Sequence, residues 1–192
     1  APVIFGGDGY SAEWHKMAVE ERGLLNLPTT ADALPYLNDD AIKKVFTSTG
    51  VLSEVELESR YEVYAEIYIL SIGVEANLVI DMAKTMIYPA AVQYLSSLLS
   101  TFESSSGMGI TMDTTIAKSI ATTADAMLAS VEKLIEAVAK DDFDSTDEHM
   151  QYCAKEIRGL MDEIRGYGDS LEAEIADDLW PLPKYREMLF IK

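Results

Sequence analysis

Four groups of residues in this chain have types from which chemistry can be built. The first is FGGDGYSAEW (5–14), three glycines and an aspartate just ahead of a serine. Glycine turns that open onto a helix N-terminus can cradle a phosphate with backbone amides. Here the glycines lack the spacing of a dinucleotide fingerprint, and no Lys-Ser/Thr pair of a P-loop follows. Asp8 and Glu13 would also repel an anion. The stretch reads as a turn with a helix cap.

The second group is Glu54, Glu58, Glu62 and Glu66, four residues apart on one helix face. A carboxylate-bridged two-metal bundle also needs Glu-x-x-His motifs. The chain has two histidines, His15 and His149, and neither lies three residues after a glutamate. These acids therefore read as a solvated face. In the third group, His149 and Cys153 sit one helical turn apart. A zinc site needs two more ligands, and a cysteine nucleophile with His149 as its base would lack a third member. Cys153 reads as a small buried apolar residue. The fourth group, Tyr61, Tyr64 and Tyr68, has ordinary helix spacing, which favours core or inter-subunit packing over an aromatic ligand box. The nine methionines read as core gap-fillers. The residues thus nominate no catalytic, no cofactor-binding and no metal-ligating side chain.

The elements that carry these groups are helices. Ser11 is placed to cap a helix through Arg22, with Gly23 at its end. NLPTTADALPYL (26–37) has room for a short turn of helix, and Asn38 is expected to cap a second short helix ending near Ser48 to Gly50. Ser53 and Glu56 fit a capping box. From there to Phe102 only Pro89 interrupts a helical pattern, a run of roughly 75 Å if unbroken at 1.5 Å per residue. Pro89 removes a backbone donor and predicts a kink. SSSGMG (104–109) predicts a turn.

Ile116, Ile120, Ala124, Met127, Val131, Leu134 and Val138 then form one stripe at steps of three and four. DDFD (141–144) breaks it, and Ser145 with Glu148 fits a second capping box. The next stripe runs Ile157, Met161, Ile164, Tyr167, Leu171, Ile175, Leu179, and WPLP (180–183) ends it. A strand is conceivable only at residues 2–5. The expected fold is mainly α: a long antiparallel bundle of three long helices, the first kinked near Pro89, with an irregular N-terminal arm of short helices. Residues 1–52 form the arm and 53–192 the bundle. The apolar tail with Tyr185, Met188, Leu189, Phe190 and Ile191 is expected to dock, on the bundle or on a neighbour.

Bulk properties narrow the function classes. The chain has 192 residues, of which 48% are hydrophobic, enough for a real core. Lys+Arg is 15 against Asp+Glu 33, a formal charge of −18, which disfavours nucleic acid and anionic lipid. The single cysteine, Cys153, permits no intrachain disulfide and fits a reducing compartment. IYILSIGVEANLVIDMAK (67–84) is interrupted by Glu75, Asn77, Asp81 and Lys84, so a membrane span is not expected. The opening APVIFGG, without methionine, suggests a fragment.

Four blocks carry a resemblance. FGGDGYSAEW, ERGLLNLPTTADALPYL (21–37), VLSEVELESRYEVYAEIY (51–68) and DDLWPLPKYREMLF (177–190) together resemble the C-terminal region of type III glutamine synthetases. The likeness spreads over nearly the whole chain, and residues 100–150 add little to it. It implies a parent enzyme that joins ammonia to glutamate using ATP and a divalent cation, Mg or Mn, through a γ-glutamyl phosphate. The catalytic domain would lie upstream, with 1–52 as the junction from it. Its metal and phosphate ligands would also lie there, so no catalytic residue carries over. The implied partners are that catalytic domain and neighbouring subunits of a cytoplasmic homo-oligomer, with no nucleic acid and no membrane. The implied role is structural, without catalysis of its own. A free-standing helical interaction or sensor module is the alternative, and an independent metal enzyme a weaker third.

Overall fold

The computed structural model describes residues 3–189, without the side chains of Tyr185 and Arg186. Its elements are helical, and no strand occurs among the described residues. The chain divides into two compact units, Ala1–Tyr68 and Ile69–Lys192, with the division inside a long helix.

The first unit holds short helices α1 (Ala12–Glu20), α2 (Thr30–Ala33) and α3 (Asp40–Ser48), a tight 3-10 turn at Leu34–Asn38, and the start of α4 (Glu54–Met82). Each short helix is set by its cap. The Ser11 side chain accepts from the Trp14 amide and starts α1. Gly23, at φ 64°, takes the left-handed backbone that ends the segment. Thr29 caps α2 by accepting from the Asp32 amide. Before α3 the cap is Asp39, not Asn38: its Oδ1 accepts from the Ala41 amide at 2.9 Å. The carboxylate suits the positive helix end better than the preceding amide, and Asn38 belongs to the 3-10 turn instead. Residues 3–5 form no strand.

The expected capping box opens α4. The Ser53 amide and hydroxyl both donate to Glu56 Oε2 at 2.8 Å, and the Glu56 amide donates back to Ser53 Oγ at 3.3 Å. These bonds hold the Glu56 carboxyl below its ordinary pKa.

In the second unit α4 continues to a π-turn, Ala83–Ile87, and then α5 (Tyr88–Gly107). The kink expected at Pro89 takes this form. Proline has no amide to donate and its ring crowds the carbonyl four residues back. The helix widens just before it, and the Tyr88 amide reaches back five residues to the Ala83 carbonyl. After the turn come α6 (Thr115–Val138) and α7 (Thr146–Tyr152). A second π-turn, Cys153–Ile157, leads to α8 (Arg158–Glu174), and a short α9 (Tyr185–Met188) follows. The third long helix ends earlier than its stripe. Ile175 is extended, at φ −74° and ψ 143°, yet stays buried. The apolar pattern continues because Ile175 and Trp180 fold back onto the core as chain, not as helix.

Packing follows the middle of the predicted α6 stripe, while Ile116 at its start is 38% exposed. Ile120, Met127, Val131 and Leu134 of α6 are 0% exposed, and α6 packs on both α5 and α8. Ser119, near the start of α6, donates to Glu174 at the end of α8 at 2.7 Å, so these two run antiparallel. Lys84 of the π-turn pairs with Glu132 of α6 at 3.2 Å, a half-exposed bridge worth at most about 1 kcal/mol. In the tail, Lys184 pairs with Asp177 and its amide donates to Glu187 at 3.0 Å. Met188 and Leu189 are exposed, while Phe190 and Ile191 lie outside the described residues.

The core of α6 gives a direct expectation. Leu134→Ala should lower the unfolding free energy by about 2–5 kcal/mol, while the same change at half-exposed Leu99 should cost about 1 kcal/mol or less. Urea denaturation followed by circular dichroism measures both.

Candidate functional site

The glycine stretch is a closed turn. Asp8 Oδ1 accepts from the Tyr10 amide at 2.9 Å, and Ser11 Oγ donates to the Asp8 carbonyl at 2.8 Å while capping α1. The Tyr10 and Trp14 amides are thus both taken by side chains of the turn itself. Phe5 stacks on Trp14, with ring centroids 4.3 Å apart. Arg22 lies 5.0 Å from the Trp14 ring and 5.6 Å from Phe5, and donates to the Ile4 carbonyl at 2.6 Å. Gly7 is needed for a reason its motif does not show. A Cβ there would stand 2.7 Å from the Phe5 ring, too close for any real contact. At Gly7 the glycine lets an aromatic ring lie against backbone.

Glu54, Glu58, Glu62 and Glu66 are all exposed, as a solvated face requires. The tyrosines divide: Tyr61 is buried, at 8% exposed, and Tyr64 is 46% exposed. Among the described residues no group of three His, Cys, Asp or Glu side chains comes together to hold a metal ion.

The third pair has structural surroundings. Cys153 is 1% exposed, and burial raises its thiol pKa, the direction opposite to that of a reactive thiolate. His149 stacks on Phe143, centroids 4.1 Å apart and nearly parallel. Phe143 also tilts against Tyr152, and Lys140 sits 5.0 Å from both rings. Partial burial lowers the His149 pKa. The group is a clasp over the α6–α7 connection. Ser145 caps α7 as its box predicted, accepting from the Glu148 amide at 3.2 Å. The Glu148 carboxylate, however, accepts from the Asp144 amide, one residue earlier than the box expects.

The sequence reading missed a cavity. Wholly within the second unit, a space of about 270 Å³ lies between the first π-turn, α8 and the Trp180–Pro183 corner. Met82, Ala83, Ile87, Met161, Ile164 and Trp180 line it. Arg165 and Asp169, paired at 3.3 Å and both exposed, stand on its solvent side. Trp180 is 8% exposed, and its indole Nε1–H has no acceptor among the described residues. The tryptophan just ahead of two prolines was the one signal available: such a ring must dock, and its N–H then wants a partner.

Two outcomes follow. In a Trp180→Phe background, where Trp14 is the remaining tryptophan, Gly7→Ala should push Phe5 off the indole. Trp14 fluorescence should then change, and stability should fall by about 0.5–1.5 kcal/mol, the worth of an aromatic pair. For His149, the folded pKa lies below its ordinary value near 6.5. Between the two values the unfolded chain binds more protons, so stability rises with pH there. Stability should therefore be lost as pH falls from about 6.5 through the lower folded value. His149→Phe, which keeps the stack, should remove that part of the slope in denaturation curves taken from neutral pH to acid.

Residues 1–106 match the family described as Glutamine synthetase C-terminal domain. The type-3 glutamine synthetase of Dictyostelium discoideum is 32% identical over 99% of this chain and 27% of its own length. The glutamine synthetase of Bacteroides fragilis (strain YCH46) is 32% identical over 100% of this chain and 27% of its own. That of Butyrivibrio fibrisolvens is 31% identical over 98% and 27%. The chain thus spans about a quarter of the length of the relatives it matches. With more than half of its 192 residues inside the family match, this helical chain belongs to the glutamine synthetase C-terminal domain family.

Proposed function

We propose that the chain serves as a packing and assembly domain of a glutamate–ammonia ligase whose catalytic part is a separate domain. The observation that carries this reading is the outer face of α4. Leu70, Val74 and Leu78 recur at steps of four and are 68%, 70% and 56% exposed. In the first unit, Val63 and Ile67 earlier on α4 are also 48% and 53% exposed. Burying one such side chain is worth about 1.5–3 kcal/mol, so a regular row left in water marks a surface that a partner covers.

The helical run Glu54–Gly107 is also long and apolar enough, by length and composition, to cross a membrane. Protein is the better cover, because Glu62, Glu66, Glu75 and Asp81 lie along the same helix, and carboxylates are costly in lipid. The partners in this reading are the ligase's own catalytic domain and neighbouring subunits of a homo-oligomer in the cytoplasm. ATP and the divalent cation, Mg or Mn, would bind in the catalytic domain. The relatives' names and their greater length support the assignment.

The test uses the full-length enzyme. Leu70→Asp with Val74→Asp should break the assembly into smaller species by light scattering and lower ligase turnover at least tenfold. An intact assembly with full turnover would refute the role of this face. In parallel, γ-glutamyl transfer should be undetectable with the 192-residue chain alone.

A further inference from the structure

We infer that the outer face of α4 between Leu70 and Asp81 receives a basic amphipathic helix from the remainder of the ligase chain, with one large apolar side chain of that helix seated over Gly73. The inference rests on the assembly reading above and names the partner's chemistry. Every residue it uses on α4 belongs to the second unit.

The hollow comes from spacing. Leu70, Gly73, Val74 and Asn77 stand at i, i+3, i+4 and i+7, the four positions that frame a hole for a side chain of a facing helix. Asn77 leaves the hole open, because its side-chain amide donates to the Gly73 carbonyl at 2.8 Å and so lies along its own helix. A Cβ at Gly73 would meet nothing within 4 Å, and the backbone there is ordinary helix. Nothing inside the domain asks for a glycine, although glycine weakens a helix interior. Gly159 and Gly166 of α8 are as open, but the residues three and four steps from them are all charged except Ser170. Those around Gly73 are Ile69, Leu70, Ala76 and Asn77. Only this hollow opens onto an apolar row.

Charge selects the occupant. Glu75 flanks the row, and Asp81 closes it three residues beyond Leu78. Both are exposed, and neither forms an ion pair among the described residues. Lys84, the next cation along the chain, is taken by Glu132. A partner that covers the row must bring Lys or Arg to its edges, since carboxylates stripped of water without a partner are costly. A second copy fits poorly. It brings the same two carboxylates on a chain of formal charge −18, and like charges at short range oppose docking. The rest of the ligase is the source, because the relatives have most of their length outside the match.

The full-length enzyme carries the test. p-Benzoylphenylalanine replaces Ser71, an exposed residue beside Leu70 and Val74, and after irradiation the joined peptide is sequenced by mass spectrometry. It should lie outside the 192 residues, carry apolar residues at steps of three and four, and have Lys or Arg beside them. Glu75→Lys with Asp81→Lys should cut the yield roughly fivefold. Gly73→Leu, which fills the hollow, should cut it roughly tenfold, and Gly159→Leu should leave it unchanged. The same probe in place of exposed Thr85 serves if the Ser71 replacement does not assemble. A joined peptide from this same domain, one without basic residues, none at all from an assembled enzyme, or a yield unmoved by Gly73→Leu would each overturn the inference. The two readings fail separately. An enzyme left intact by Leu70→Asp with Val74→Asp refutes the assembly role, whereas a broken assembly together with an acidic joined peptide refutes only the partner named here.

Discussion

The second unit depends on keeping one stripe of α6 out of water. Ile120, Met127, Val131 and Leu134 expose nothing, and they stay dry because α5, α8 and the two π-turns pack on the helix. A single helix has no means of hiding such a stripe. The turns on either side of α6 are therefore constrained to reverse the chain. One is braced by Ser105 donating to Met112 Sδ at 3.2 Å. The other is braced by the Phe143, His149 and Tyr152 rings with Lys140 beside them. These side chains act on topology: each closes a connection that the buried stripe requires.

Much of this was legible in the order of residue types. Burial repeats at steps of three and four, so the stripes of α6 and α8 could be read directly, and Ser11, Ser53 and Ser145 marked helix starts by their reach to amides further on. What escaped has identifiable causes. Asn38 and Asp39 are both good caps, and the sequence does not say which one takes the extended backbone; the Leu34–Asn38 turn uses Asn38 and leaves Asp39 for α3. The stripe through Ile175 looked helical because burial, not conformation, sets the pattern, and an extended chain can also place one residue inward. Pro89 announced a break but not its kind. The Cys153–Ile157 π-turn has no proline and nothing in its residue types to signal it. The candidate chemistry at Gly7 was legible only as a turn, because the Phe5 ring that explains the glycine meets it through space.

Charge and apolar surface divide the work on α4. Glu54, Glu58, Glu62 and Glu66 face water, while Leu57, Tyr61 and Ala65 are buried on another side of the same helix. Further along, in the second unit, the row Leu70, Val74 and Leu78 is neither charged nor covered. A helix of a free-standing protein needs one dry face and can make the rest polar. A helix with a second apolar face has two sets of neighbours to satisfy.

The π-turn joins these themes. Pro89 has no amide to give the Thr85 carbonyl four residues back, and just before it the helix widens by one residue, with the Tyr88 amide donating to the Ala83 carbonyl. The extra residue turns the helix on its axis, so α4 and α5 need not present a single continuous face to their neighbours. Where the face turns, side chains that would have interlocked no longer meet. The π-turn supplies Ala83 and Ile87 to the wall of the cavity, and α8 supplies Gly168 opposite. A longer side chain at Gly168 would reach across to Ile87 and close it.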